Sequence, residues 1–157
     1  MRYSDKEMDE LDWPGLAAEE SPGRYAELEE RTFEFARRVR LFIKRLTMTL
    51  ANIEDAKQLV RASGSVGANY IEANESLGRR DFLLHIKISR KEAKESRYWL
   101  RLLDLAPTAD LETERQLLIQ ESTELMCIFG AIYRRAEQGT PARKSEAVAD
   151  RHSDEAR

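Results

Sequence analysis

Phe82, Ile86, Ser89, Ala93, Ser96, Leu100 and Leu103 recur at alternating intervals of four and three residues. This regularity constrains the fold more than any other feature of the chain. Positions so spaced fall along one side of an α-helix, whereas in a strand they would divide between opposite faces. The spacing predicts a helix from Arg79 to Asp104, stopped by Pro107. A stripe of this kind is the seam of a helix bundle and needs partner helices.

The rest of the chain supplies them. Leu28, Thr32, Phe35, Val39, Phe42 and Leu46 repeat the same alternation over a helix from Tyr25 to Leu46. Glu27, Glu29 and Glu30 near its start and Lys44 and Arg45 near its end complement the helix dipole. A second helix starts at Asn52, where Asn52-Ile53-Glu54-Asp55 resembles a capping box with Asp in the usual Glu place, and continues to Ser76. Its centre, Ser63 to Ala68, is poor in helix propensity, since each Gly costs about 1 kcal/mol relative to Ala. No strand pattern precedes this stretch and no Gly-Lys-Ser/Thr follows, which argues against a phosphate-binding loop. Gly64 and Ala68 are four apart, as are Ser63 and Gly67, so each pair shares a face of a helix kept thin for a close neighbour. Gly78 ends this helix or caps the next, with Asp81 at the third helical position. A last helix runs from the Thr108–Leu111 region to Gln138-Gly139, with Leu118, Leu125, Phe129 and Ile132 in its core.

Short connections make neighbouring helices antiparallel. The predicted fold is therefore all-α, an antiparallel up-down-up-down four-helix bundle over residues 25–138. A chain of 157 residues suits one such domain. Residues 1–24, with Pro14-Gly15, Pro22-Gly23 and scattered acids, read as a disordered extension, and residues 139–157 as a polar tail. Leu11, Trp13 and Leu16 are the head residues suited to docking on the body or on a neighbouring subunit.

Charge is unevenly divided. Residues 1–30 hold three basic and ten acidic side chains, residues 31–136 nineteen and fourteen, and residues 137–157 four and five. The helical body is basic although the chain as a whole carries −3, so the overall charge misleads about anionic partners. Cys127 is the sole cysteine, which rules out an internal disulfide and points to a reducing compartment. The N-terminus lacks the pattern of a secretory signal, and no apolar run has the length of a membrane span. The expectation is a cytoplasmic protein with no membrane partner.

The Arg79–Asp104 helix carries two further faces. His85, Ile88, Glu92, Glu95, Trp99 and Leu102 form a second stripe beside the seam, which predicts a subunit interface. The remaining face holds Arg80, Lys87, Lys94 and Arg101 at intervals of seven, with Arg90, Lys91 and Arg97 alongside. A solvated face is the ordinary reading of such cations, but repetition of the face in an oligomer makes it a candidate surface for RNA or DNA. No base-reading motif or aromatic stacking platform is visible, so binding is expected to be largely independent of sequence.

The stretches GSVGANYIEA (64–73) and RKEAKESRYWL (90–100) carry a specific resemblance. The chain from about Tyr25 to Arg135 resembles the four-helix-bundle family first named for proteins encoded in 23S rRNA intervening sequences. The resemblance implies an up-down bundle and a homopentameric ring or barrel. It also implies kinship with the accessory protein of diversity-generating retroelements, a basic pentamer that binds nucleic acid. It supplies no established activity. Gly78 departs from the pattern, since many members carry Ser as the cap there.

Candidate catalytic residues are few. Glu72 and Glu75, then Glu92 and Glu95, form two E-x-x-E pairs, similar to those with which all-α nucleotide pyrophosphohydrolases hold Mg²⁺. That pattern has Asp where this chain has Glu95, and Arg90, Lys94 and Arg97 lie near enough in sequence to neutralise the acids. Structural ion pairs are the simpler account. No E-x-x-H motif is present, which argues against a di-iron carboxylate bundle. His85 reads as an interface side chain, His152 lies in the tail, and Cys127 reads as a core residue. The sequence thus points to a non-enzymatic oligomer without cofactor or metal. A pyrophosphohydrolase and a pure assembly scaffold are the alternatives.

Overall fold

Four helices follow one another in the computed structural model, which describes residues 22–138. They are α1 (Pro22–Ile43), α2 (Leu50–Asn74), α3 (Arg79–Leu102) and α4 (Ala109–Gln138). The body of the acidic head, with Leu11, Trp13 and Leu16, and the tail with His152 lie outside the described residues.

Each predicted helix is present, and the differences are at the ends. α1 begins at Pro22 rather than Tyr25, because proline at the first helical position gives up an N–H that has no intrahelical partner. The earlier start leaves no acid in the first turn, so Glu27, Glu29 and Glu30 lie deeper in the helix than the dipole argument placed them. At the other end the α-helix stops at Ile43 and the chain tightens, with Arg45 N–H bonded to Phe42 O and Leu46 N–H to Ile43 O.

The cap of α2 is Thr49, not Asn52. The Thr49 hydroxyl accepts from the Asn52 N–H at 3.2 Å. Asn52 is instead buried and used as a clamp. Its Nδ2 donates to Thr47 O and Asp104 O, both at 2.8 Å, and its Oδ1 accepts from the Asp104 N–H at 2.9 Å. One side chain thereby ties the α1–α2 turn to the end of α3 and satisfies backbone groups that would otherwise be orphaned.

The thin centre of α2 has a direct geometric reason. A Cβ on Gly67 would stand 2.7 Å from Thr32 Oγ1 and 3.2 Å from Thr32 Cβ, so α1 closes on α2 at a distance only glycine permits. Beside it, the buried Ser89 hydroxyl of α3 donates to Val66 O of α2 at 3.0 Å. Small residues therefore let α2 approach two helices at once.

The stripes read from sequence form the core. Thr32, Phe35, Val39, Phe42 and Leu46 are buried, as are Ile86, Ser89, Ala93, Ser96, Leu100 and Leu103. Phe82 is half-buried and packs against the same cluster. Tyr70 and Phe129 meet at the centre with ring centroids 5.5 Å apart. Partner numbers run in opposite senses along three of the contacting helix pairs. Arg31 reaches Glu121 and Glu124, Arg38 reaches Glu114, and Arg45 reaches Asp110. Val66 and Asn69 meet Ser89 and His85. Arg79 and Leu103 meet Ala136 and Arg115.

Candidate nucleic-acid interface

α3 sits against both α2 and α4 and buries its seam between them, which turns its opposite side to solvent. On that side Arg80, Lys87, Lys94 and Arg101 are exposed. Seven residues are close to two turns, so the four cations form a line with steps of about 10.5 Å. Among the described residues Arg80 and Arg101 have no carboxylate partner. Lys87 Nζ lies 5.9 Å from the centre of the Tyr133 ring of α4. Lys91 is exposed and stands 3.8 Å from Glu92 and 3.7 Å from Glu95.

Arg90 and Arg97 belong to a different setting. Both are half-buried at the edge of the seam. The Arg90 guanidinium lies over α4 at Gly130, where an added Cβ would be 3.4 Å from its Nε. Gly130 was not singled out by sequence reasoning. The signal available was a lone glycine within the apolar run of the last helix. At the start of α3 an open groove of about 900 Å³ is lined by Gly78, Arg79, Arg80, Asp81, Leu83, Leu84, Lys87 and Tyr133.

The second stripe divides in the structure. His85 faces α2, with Nδ1 3.2 Å from Asn69 Oδ1 and Nε2 3.5 Å from Asp81. Trp99 packs on the core cluster and meets Tyr98 at a nearly perpendicular angle. Glu92 is half-buried, and burial, followed by the neighbouring Glu95 charge, raises its pKa above the ordinary carboxylate value. Ile88 is half-buried, whereas Glu95 and Leu102 face outward. Leu84 and Tyr98 are each 54% exposed. Leu84, four residues before Ile88, extends this edge, whereas Tyr98, four residues after Lys94 and three before Arg101, lies between the edge and the line of cations. Both were missed because the stripe was drawn through His85, Glu92 and Trp99 instead.

The carboxylates required for a pyrophosphohydrolase do not gather. Glu72 and Glu75 are exposed on α2. The Val66–Ser89 and Asn69–His85 contacts place Glu92 opposite residue 63 or so, about 13 Å along the helix from Glu72. Among the described residues no group of three or more His, Cys, Asp or Glu side chains is placed to hold a metal ion. Cys127 is half-buried and packs against the core cluster.

These features define a four-helix, all-α protein whose third helix presents a charged outer face. Residues 26–129 match the family model described as 23S rRNA-intervening sequence protein. The chain belongs to that family. A crystal structure of a protein of unknown function from the S23 ribosomal protein family of Bacteroides thetaiotaomicron is similar, with 29% sequence identity and a TM-score of 0.56. The similarity covers 70% of this chain and 97% of that one. No curated protein matches the chain. No helix among the described residues is long and apolar enough to cross a membrane.

Proposed function

We propose that this protein is a non-catalytic, cytoplasmic homo-oligomer that binds nucleic acid through the outer face of α3. The observation that carries the reading is the line of exposed cations, Arg80, Lys87, Lys94 and Arg101, on one helix of a body richer in bases than acids. In the pentamer that the family resemblance implies, the face recurs with each subunit. Weak phosphate contacts then act together, and affinity rises without any new contact type. The opposite running of partner numbers between helices supports the antiparallel up-down-up-down arrangement, in which α3 is a rigid rod for this display. The outward-facing Glu95 and Leu102, with the half-buried Ile88 on the same stripe, support a subunit contact beside the basic face. Trp99 is the poorer probe of that contact, because its core packing ties it to the monomer's own stability. The description of the family names 23S rRNA intervening sequences, which makes structured RNA the first ligand to test, with duplex DNA beside it.

The test is purification of the full chain, followed by light-scattering mass, the absorbance ratio for retained nucleic acid, and gel shift at rising salt. The expected result is a pentamer that shifts RNA or DNA at low salt and releases it steeply as salt rises. Leu102→Asp reduces the mass while leaving the helical signal. Removal of residues 1–21, which hold seven acids and two bases, strengthens binding by relieving competition for the cations. A monomer at high micromolar concentration refutes the assembly. Failure of both wild type and the shortened chain to shift any nucleic acid refutes the function.

A further inference from the structure

We propose that Tyr98 is a stacking platform for an unpaired base, so that the α3 face prefers single-stranded nucleic acid to duplex. This rests on the nucleic-acid reading above and narrows it to a ligand class. Tyr98 is 54% exposed on a helix whose neighbouring surface is cationic. Lys94 lies four residues before it and Arg101 three after, the spacings at which helical side chains share a face, and both are exposed. A base laid on the phenol ring therefore brings its flanking phosphates toward an ammonium on one side and a guanidinium on the other.

The ring is also pre-oriented. Trp99 packs on the core, and its ring meets Tyr98 with centroids 5.0 Å apart and planes at 80°. A perpendicular contact engages at most one face of the phenol and leaves the other to solvent. Ordering the side chain before binding lowers the entropy lost when a base arrives. Tyr133, the other aromatic beside the basic line, is not equivalent. It packs against the core and carries Lys87 over its ring. Glu95 lies three residues before Tyr98 on the same helix, and Lys91 stands 3.7 Å from its carboxylate, which offsets its repulsion of phosphate.

Duplex and single strand differ in what they offer this surface. A duplex keeps its bases stacked on each other and presents phosphates, which the cations alone serve. A single strand adds π-faces, and any of the four bases can stack. Preference for single strands is thus compatible with indifference to sequence.

Fluorescence anisotropy with the full chain separates these terms. Three labelled probes of equal length are used: a mixed-sequence single strand, its duplex, and an abasic single strand with the same phosphates. The intact single strand is expected to bind most tightly. Tyr98→Ala weakens it about five-fold or more, the low end for loss of one stacked base, and leaves the abasic probe unchanged. Tyr98→Phe retains the binding, since the stacking face is kept. Equal binding of intact and abasic strands overturns the proposal, as does a Tyr98→Ala protein that binds the intact strand as wild type does. If those results come with salt-sensitive binding of all three probes, the stacking role alone falls. If wild type binds none of the probes, nucleic-acid binding itself falls and the stacking role with it.

Discussion

α1 and α3 are both rich in cations, yet the two helices use them differently. Arg31 of α1 makes bonds of 2.7 and 2.9 Å to Glu121 and of 2.6 Å to Glu124. Arg38 bonds to Glu114 at 3.0 Å, and Arg45, just past the helix, pairs with Asp110. The hydrogen bonding of the Arg31 guanidinium to the Glu121 carboxylate is the chief cause of a raised Arg31 pKa, with Glu124 adding to it. On the outer side of α3, Arg80 and Arg101 have no carboxylate partner among the described residues, and Lys91 meets only carboxylates of its own helix. The contrast lies in the neighbour rather than in the residue type. α4 offers α1 a row of carboxylates at 110, 114, 121 and 124, and it offers α3 Gly130 and the Tyr133 ring. A basic helix next to an acidic one is mortar, whereas a basic helix whose cations point away from the bundle is a surface for something else.

The strongest way to break this contrast is to reverse charge on α3. Lys87→Glu, Lys94→Glu and Arg101→Glu together are expected to weaken nucleic-acid binding by at least about 100-fold at low salt, since each lost phosphate contact steepens the loss. Oligomer mass and thermal midpoint should change little, because these side chains are exposed. A midpoint that falls sharply would make α3 mortar as well.

The seat of α1 is tested next. Gly67→Ala should gain about 1 kcal/mol in helix propensity but lose more, because the new methyl is driven into Thr32. A net loss of about 1–2 kcal/mol in urea unfolding is expected. Adding Thr32→Ala should recover part of it, since the atom 2.7 Å away is removed. Stabilisation by Gly67→Ala alone would mean that α1 is not held this closely.

Smaller again is the effect of Arg31→Gln. Three charge-assisted bonds are lost, but the partners are partly exposed and water replaces some of the interaction. A stability loss of about 1 kcal/mol with unchanged nucleic-acid affinity is expected. A change in affinity would instead connect α1 to the binding face.

The smallest effect concerns Glu92. Its raised pKa means that the folded chain holds a proton there more tightly than the unfolded chain. That contribution is fully present below the ordinary value of 4.5 and is lost as pH rises through the raised one. Glu92→Gln should therefore raise the unfolding midpoint at pH 7 and match wild type near pH 4. Equal midpoints at both pH values would show that Glu92 is well solvated in the assembled protein.

The sequence by itself determined the helices and their inward faces. Periodicity is a local property: residues three and four apart share a side of a helix whatever lies beyond it, so Ile86, Ala93 and Leu100 could be read as core without a partner in view. The same reasoning identified a thin helix around Gly64 and Gly67, though not the helix that needed it. Tertiary structure decided everything that depends on which neighbour arrives. It made Asn52 a clamp between two turns rather than a cap, because its amide meets Asp104, fifty-two residues away. It drew Arg90 out of the basic face toward α4, where Gly130 leaves room for a guanidinium, and left Arg97 half-buried. It divided the second stripe, turning Trp99 onto the core and leaving Leu102 outside. Long side chains such as Arg and Trp reach beyond their own helix, so their destination is set by the opposing surface, and one-dimensional spacing carries no record of that surface.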